Sequence, residues 1–241
     1  MTNPWKLWRN HFERNAARPF PSMPTAPTLS PVMLEALQKF QLGETGEGRI
    51  AKQIDHYHSP AIDDDYRASL KLFVKEEGRH ARILAGVLRS AGSDVLKGSA
   101  SSSAFTVARG LVGVRFKLVV LLAAEVVASE AYPLLVSGAK DAATQALLQS
   151  LATDEAHHMH FHQDFFSLAL RGVKRLLFPP LFLAIVLVAA LLCAFEHRRA
   201  FRECGASPSR VVKNMLRRAG EVLREVLRPA ANEACLEARS H

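Results

Sequence analysis

Two short patterns, Glu77-x-x-His80 and Glu155-x-x-His158, constrain this chain more than any other feature. Each sits in a stretch whose apolar residues recur at helical spacing. Tyr66, Leu70, Phe73, Val74, Ala81, Leu84 and Leu88 surround the first; Leu147, Leu148, Leu151, Phe165, Phe166 and Ala169 surround the second. Residues three apart on a helix share a face, so each pattern puts a carboxylate and an imidazole side by side on an inward stripe. Burying a carboxylate there is costly unless it is paired or bound to a cation. Two such pairs on two helices therefore ask for shared positive charge.

The rest of the chain supplies two further acids in the right order. Glu44 lies on a predicted helix over 31–57, which opens with the cap Ser30 and Pro31. Glu125 lies in KLVVLLAAEVVASEAYPLLV, where nearly every neighbour is apolar. The predicted helices run over 31–57, 63–91, 107–137 and 141–171, and two antiparallel pairs would bring Glu44, Glu77, His80, Glu125, Glu155 and His158 to one level. Glu47, one turn from Glu44, is an alternative or an assistant to it. Glu76 lies beside the stripe and is expected to be exposed. Glu130, nearer its helix end, is a weaker ligand than Glu125. Among the crowded histidines, the helical period selects His158, with His162 next on that face; His157 and His160 point elsewhere. Asp154 is placed to accept a hydrogen bond from the far nitrogen of His80 and so to fix its ring. The glycines at 43, 46 and 48 weaken a helix and mark either close helix approach or a ligand space. Tyr132 shares the face of Glu125, as packing or as a hydrogen-bonding neighbour.

Composition agrees with an all-α chain. Runs rich in Ala, Leu, Glu and Arg dominate, and 49% of the 241 residues are apolar, enough for a sizeable core. Three cysteines without zinc-type spacing read as free thiols in a reducing compartment. No phosphate-binding glycine loop or nucleophile elbow competes with the acid and imidazole set. The net charge of +8 is concentrated in the N-terminal arm and beyond Gly172. The expected organisation is an arm over 1–30, a bundle over 31–172, an apolar helix over 173–196 and a basic amphipathic tail over 197–241. Trp5, Trp8 and Phe12 in the arm either pack on the bundle or anchor it at a membrane interface. Leu176–Phe195 holds twenty residues without a charge. It reads as a membrane span, a segment lying in one leaflet or a buried fifth helix. The tail suits an anionic lipid surface, with a partner helix or nucleic acid as the alternative. No apolar leader is visible, so the expected location is the cytoplasm, at the inner face of a membrane.

With these residues in view, residues 30–172 resemble the ferritin-like di-iron carboxylate proteins. Gly43-Glu44-Thr45-Gly46 followed by Arg49-Ile50 resembles the first helix of the demethoxyubiquinone hydroxylases, and the Glu125 to Tyr132 spacing is similar to their third. Asp154-Glu155-Ala156-His157-His158 resembles that family and the alternative oxidases. Glu76-Glu77-Gly78-Arg79-His80-Ala81 is similar to the second helix of rubrerythrin. The resemblance implies a ferritin-like antiparallel four-helix bundle holding two iron ions, with manganese as the alternative. Its ligands would be Glu44, Glu77, His80, Glu125, Glu155 and His158, the four glutamates forming the catalytic carboxylate set. It implies an O2-dependent oxidase or monooxygenase acting on a small apolar or membrane-dissolved substrate. Two other readings stay open: a rubrerythrin- or ferritin-like protein handling iron or peroxide, and a membrane-attached helical scaffold without metal. The substrate, the electron donor and whether the chain forms a homodimer are not legible in the sequence.

Overall fold

Side chains at the helix starts set the boundaries. Ser30, Asp63, Asp141 and Ser207 each accept a hydrogen bond from the backbone N–H three residues on, satisfying donors that a helix start leaves open. At the other end of the second long helix, Gly92 adopts φ 72°. Ser93 N–H reaches back to the carbonyl of Leu88 at 2.9 Å, closing the helix with a left-handed glycine.

The computed structural model describes residues 3–45, 48, 50–97 and 113–228. All regular structure among them is helical: α1 (Pro4–Ala17), α2 (Pro31–Gly43), α3 (Ile50–Gln53), α4 (Asp64–Ser90), α5 (Val114–Gly138), α6 (Ala142–Ala169), α7 (Val173–Glu196), α8 (Arg198–Glu203) and α9 (Pro208–Leu227). A short 3-10 turn, Ile54–His56, continues α3. Glu47, the loop after Lys97, the expected start of the third long helix and Cys235 lie outside the described residues.

Four segments surround the centre. α5 and α6, joined by a three-residue turn, pack closely as antiparallel neighbours, while α2 lies against α4. The α4 and α6 backbones approach less closely; polar side chains fill the space between them. The expected helix over 31–57 is broken. α2 ends at Gly43, Glu44 and Thr45 form a turn, and helix resumes at Ile50. The break falls in the glycine cluster, where helix propensity is lowest. Pro133, by contrast, sits inside α5 without ending it.

The arm is part of the core. Trp5, Trp8 and Phe12 are buried against Tyr66, Phe73, Phe161 and Phe165, and the Trp8 indole N–H donates to Asp164 at 2.9 Å. An interfacial anchor at these positions is therefore ruled out, because the aromatic faces are already occupied. The described part of the tail, up to residue 228, is equally integrated. Val211, Met215, Ala219, Val222 and Val226 of α9 are buried against α5, α6 and α7. Its apolar stripe is thus spent on the protein, leaving only its charged face free for another surface.

α5 and α7 are both long and apolar enough to cross a membrane, but they differ in burial. α5 is largely enclosed. α7 buries one stripe, Phe178, Phe182, Val186, Ala190 and Ala194, on α5 and α9. Its opposite side exposes Leu176, Leu177, Val188, Leu191, Leu192 and Phe195.

Candidate metal centre

Glu77 and His80 on α4 face Glu155 and His158 on α6, and all four are buried. One ligand atom from each lies within 4.8 Å of the others. The pairing crosses between helices. His80 Nδ1 is 3.0 Å from Glu155 Oε1, and His158 Nδ1 is 2.9 Å from Glu77 Oε1. Each imidazole thus presents Nδ1 to the carboxylate of the other motif.

The outer nitrogens repeat the exchange. His80 Nε2 lies 3.3 Å from Asp154 Oδ2, as the sequence led one to expect. His158 Nε2 lies 3.1 Å from Glu76 Oε2. Glu76 is therefore buried and bonded, contrary to its expected exposure. It sits directly before the inner glutamate of its motif, as Asp154 does before Glu155. Both motifs read acid-Glu-x-x-His, and the leading acid orients the histidine of the other helix. That sequence identity of position was the available signal for Glu76; reading the face of α4 from its apolar residues alone hid it.

The two remaining acids come to the same place. Glu44, in the turn after α2, receives a hydrogen bond from the Tyr132 hydroxyl and adjoins Glu77. Glu125 of α5 adjoins Glu155, with its Oε2 3.9 Å from His158 Nδ1. The structure thus brings all six expected residues together: Glu44 and Glu125 flank the inner four from opposite helix pairs. Glu130 does not join them. It lies 3.8–3.9 Å from Arg218 and Arg217 of α9.

The electrostatics follow from packing four inner-facing acids around two imidazoles. Burial, together with the charges of Glu77 and Glu155, raises the carboxyls of Glu44 and Glu125 well above the usual range. Burial also raises Glu155, but hydrogen bonds from His158 and His80 more than offset it and leave that carboxyl low. Burial disfavours charge on His80 and His158 as well, yet the surrounding carboxylates win and raise both imidazoles well above their ordinary value. Both shifts favour positive charge at the centre of the cluster, a place that protons or a metal cation can fill.

The donor set fits a metal in one further respect. His158 Nδ1 and Glu77 Oε1 are 2.9 Å apart and buried, yet their orientation makes no hydrogen bond. Lone pairs of two ligands converging on one ion adopt that relation, and a buried orphan pair otherwise carries a desolvation cost. Carboxylates with few imidazoles suit iron or manganese.

His157 and His162 lie on different sides of α6. His157 faces His11, with ring centroids 4.6 Å apart, away from the centre. His162 is fully buried one turn beyond His158, against Phe73, and neither ring nitrogen has a hydrogen-bond partner. Gly43 and Gly48 are exposed and are not sites of close helix approach. A Cβ on Gly43 or Gly48 would meet nothing within 4 Å, and Gly48 and Glu44 both line a cavity. No protein-family model matches this chain, and no curated protein matches it.

Proposed function

We propose that this chain is a di-iron carboxylate oxidoreductase, an O2-dependent oxidase or monooxygenase built on a ferritin-like arrangement of α2, α4, α5 and α6. The observation that carries this reading is the crossed pairing of two acid-Glu-x-x-His motifs, flanked by Glu44 and Glu125. A structural cluster has no need of five buried ligand-type groups with a half-buried sixth, Glu44, because apolar residues of similar volume would be at least as stable. The carboxylates of Glu77, Glu155, Glu44 and Glu125 and the imidazoles of His80 and His158 would hold the ions. When bound, the iron pair would supply the activation of O2. The chain's own residues would do the rest. Asp154 and Glu76 hold the two rings in register, Tyr132 orients Glu44, and the apolar side chains of α5 and α6 exclude water from the reacting space.

A membrane surface belongs to the same reading. The bare face of α7 is flanked by Lys174 and Arg175 at one end and by Arg198 and Arg199 at the other. Apolar surface of this extent marks a binding face, and the basic ends suit an anionic lipid surface. Because the opposite stripe is docked on α5 and α9, the helix would lie in one leaflet with the bundle beside it.

Metal analysis of the purified full chain tests the central assignment. About two irons per chain are expected, with loss of both in a Glu77→Ala/Glu155→Ala variant. Iron-dependent O2 consumption that rises with an apolar substrate supports the oxygenase. Uptake of many irons per chain without such turnover would point to iron handling, and a stable, metal-free protein to a scaffold.

A further inference from the structure

A cavity of roughly 740 Å³ opens beside the centre, within the size range of small-molecule sites. Its floor is one face of α4, where Gly78, Ala81 and Ala85 recur at helical spacing and leave the room. Its inner end is Glu44, with buried Gln41 one turn earlier on α2. One wall is the extended segment after α1, which carries Phe20 and Met23.

That wall is fixed at two points. Arg79 of α4 donates to the carbonyls of Arg18 at 2.9 Å and Pro19 at 2.6 Å. Further along, the Met23 sulfur occupies the notch at Gly86, where a Cβ would come within 2.3 Å of it. On the solvent side stand Arg82 and Arg89, both exposed and both without an acidic partner among the described residues. The Arg82 guanidinium lies 3.7 Å from the place a Cβ on Gly78 would take, so its charge hangs over the floor. None of the lining comes from α7 or α9.

We propose that this cavity binds a molecule with an apolar body and a single anionic head, the body on the Gly78–Ala85 floor toward Glu44 and the head at Arg82 and Arg89. As the identity of the substrate, the proposal rests on the metal reading above; as a binding site, it stands on the cavity alone. Two unpaired guanidinium groups beside an apolar floor favour a carboxylate or phosphate head over a neutral one, because they offer it charge-assisted, forked hydrogen bonds. The substrate would then reach the centre from the α2–α4 side, away from the bare face of α7.

The test uses the full chain with decanoate and decan-1-ol, two probes of equal chain length that differ in head charge. Titration calorimetry should give one decanoate site per chain, about fivefold or more tighter than decanol. Arg82→Ala/Arg89→Ala, on the surface, should bring decanoate down to the decanol affinity. Ala85→Phe should weaken both probes by about tenfold or more, by filling the floor. Equal affinities for the two probes, or binding that neither variant changes, would overturn the proposal and place the probes on α7. Metal content is read in the same samples. Bound metal without decanoate binding defeats the cavity assignment alone, and decanoate binding without metal defeats the di-iron assignment alone.

Discussion

At the residue scale, the acids that precede Glu77 and Glu155 do the same job on opposite helices. Each accepts from the outer nitrogen of the other helix's histidine, and partners of that kind tune metal affinity by about 10- to 100-fold. Glu76→Gln and Asp154→Asn should therefore weaken iron binding by similar factors in a chelator competition, with the fold retained. If Glu76→Gln bound iron like the parent, the outer carboxylate would have no role in holding the site. His162 provides a different residue-level prediction. Burial, with a smaller contribution from the charge of His158, holds its imidazole down at about 3. A depressed folded-state value stabilises the protein fully above the ordinary value of 6.5 and loses that contribution as pH falls toward 3. Across that window His162 should add a slope approaching ~1.4 kcal/mol per pH unit. Urea unfolding of His162→Leu at a series of pH values should show a shallower acid decline than the parent; identical curves would mean that His162 takes up no proton late. His197, held at about 4 by burial, acts in the same direction and remains in both proteins.

The legibility of the chain can be judged from such residues. Glu-x-x-His spacing, the acids at 44 and 125 and the role of Asp154 were readable, because a single helix dictates which side chains share a face. Glu76 was missed because two adjacent residues can both be inward when polar partners wait on another helix, and no one-helix pattern contains that partner. The fate of Trp5, Trp8 and the α9 stripe was equally hidden: an amphipathic helix shows that it has an apolar face, not what covers it.

At the element scale, α1 is a structural part of the bundle. Trp8 is 1% exposed, packs against Phe12 and Phe161 and donates to Asp164. Truncating a buried Trp or Phe costs on the order of 3–5 kcal/mol. Trp8→Ala should destabilise the protein by that amount in denaturant unfolding, with no lipid present. A change below about 1 kcal/mol would mean that α1 is detached in solution. α9 makes a matching point: its buried residues cover α5 and α6, so ending the chain at Gly172 would strip the core and would not yield a compact soluble bundle.

At the scale of the whole molecule, the chain has three distinct surfaces. The cavity side lies along α4, the charged face of α9 carries arginines, and α7 presents bare apolar side chains. The full chain should co-sediment with vesicles containing phosphatidylglycerol more strongly than with neutral phosphatidylcholine. Leu181→Gln/Leu187→Gln/Leu191→Gln should abolish that binding. A parent that ignores vesicles and forms a stable dimer, dissociated by the same substitutions, would show that a second copy covers α7 instead.

The account as a whole depends on cations lying between α4 and α6. Anomalous diffraction from iron-loaded crystals locates them directly. The predicted result is two iron peaks enclosed by Glu44, Glu77, His80, Glu125, Glu155 and His158, with each histidine reaching one of them through Nδ1. Iron peaks only at the protein surface, or an iron-soaked crystal whose six side chains keep their mutual contacts with no density between them, would contradict it.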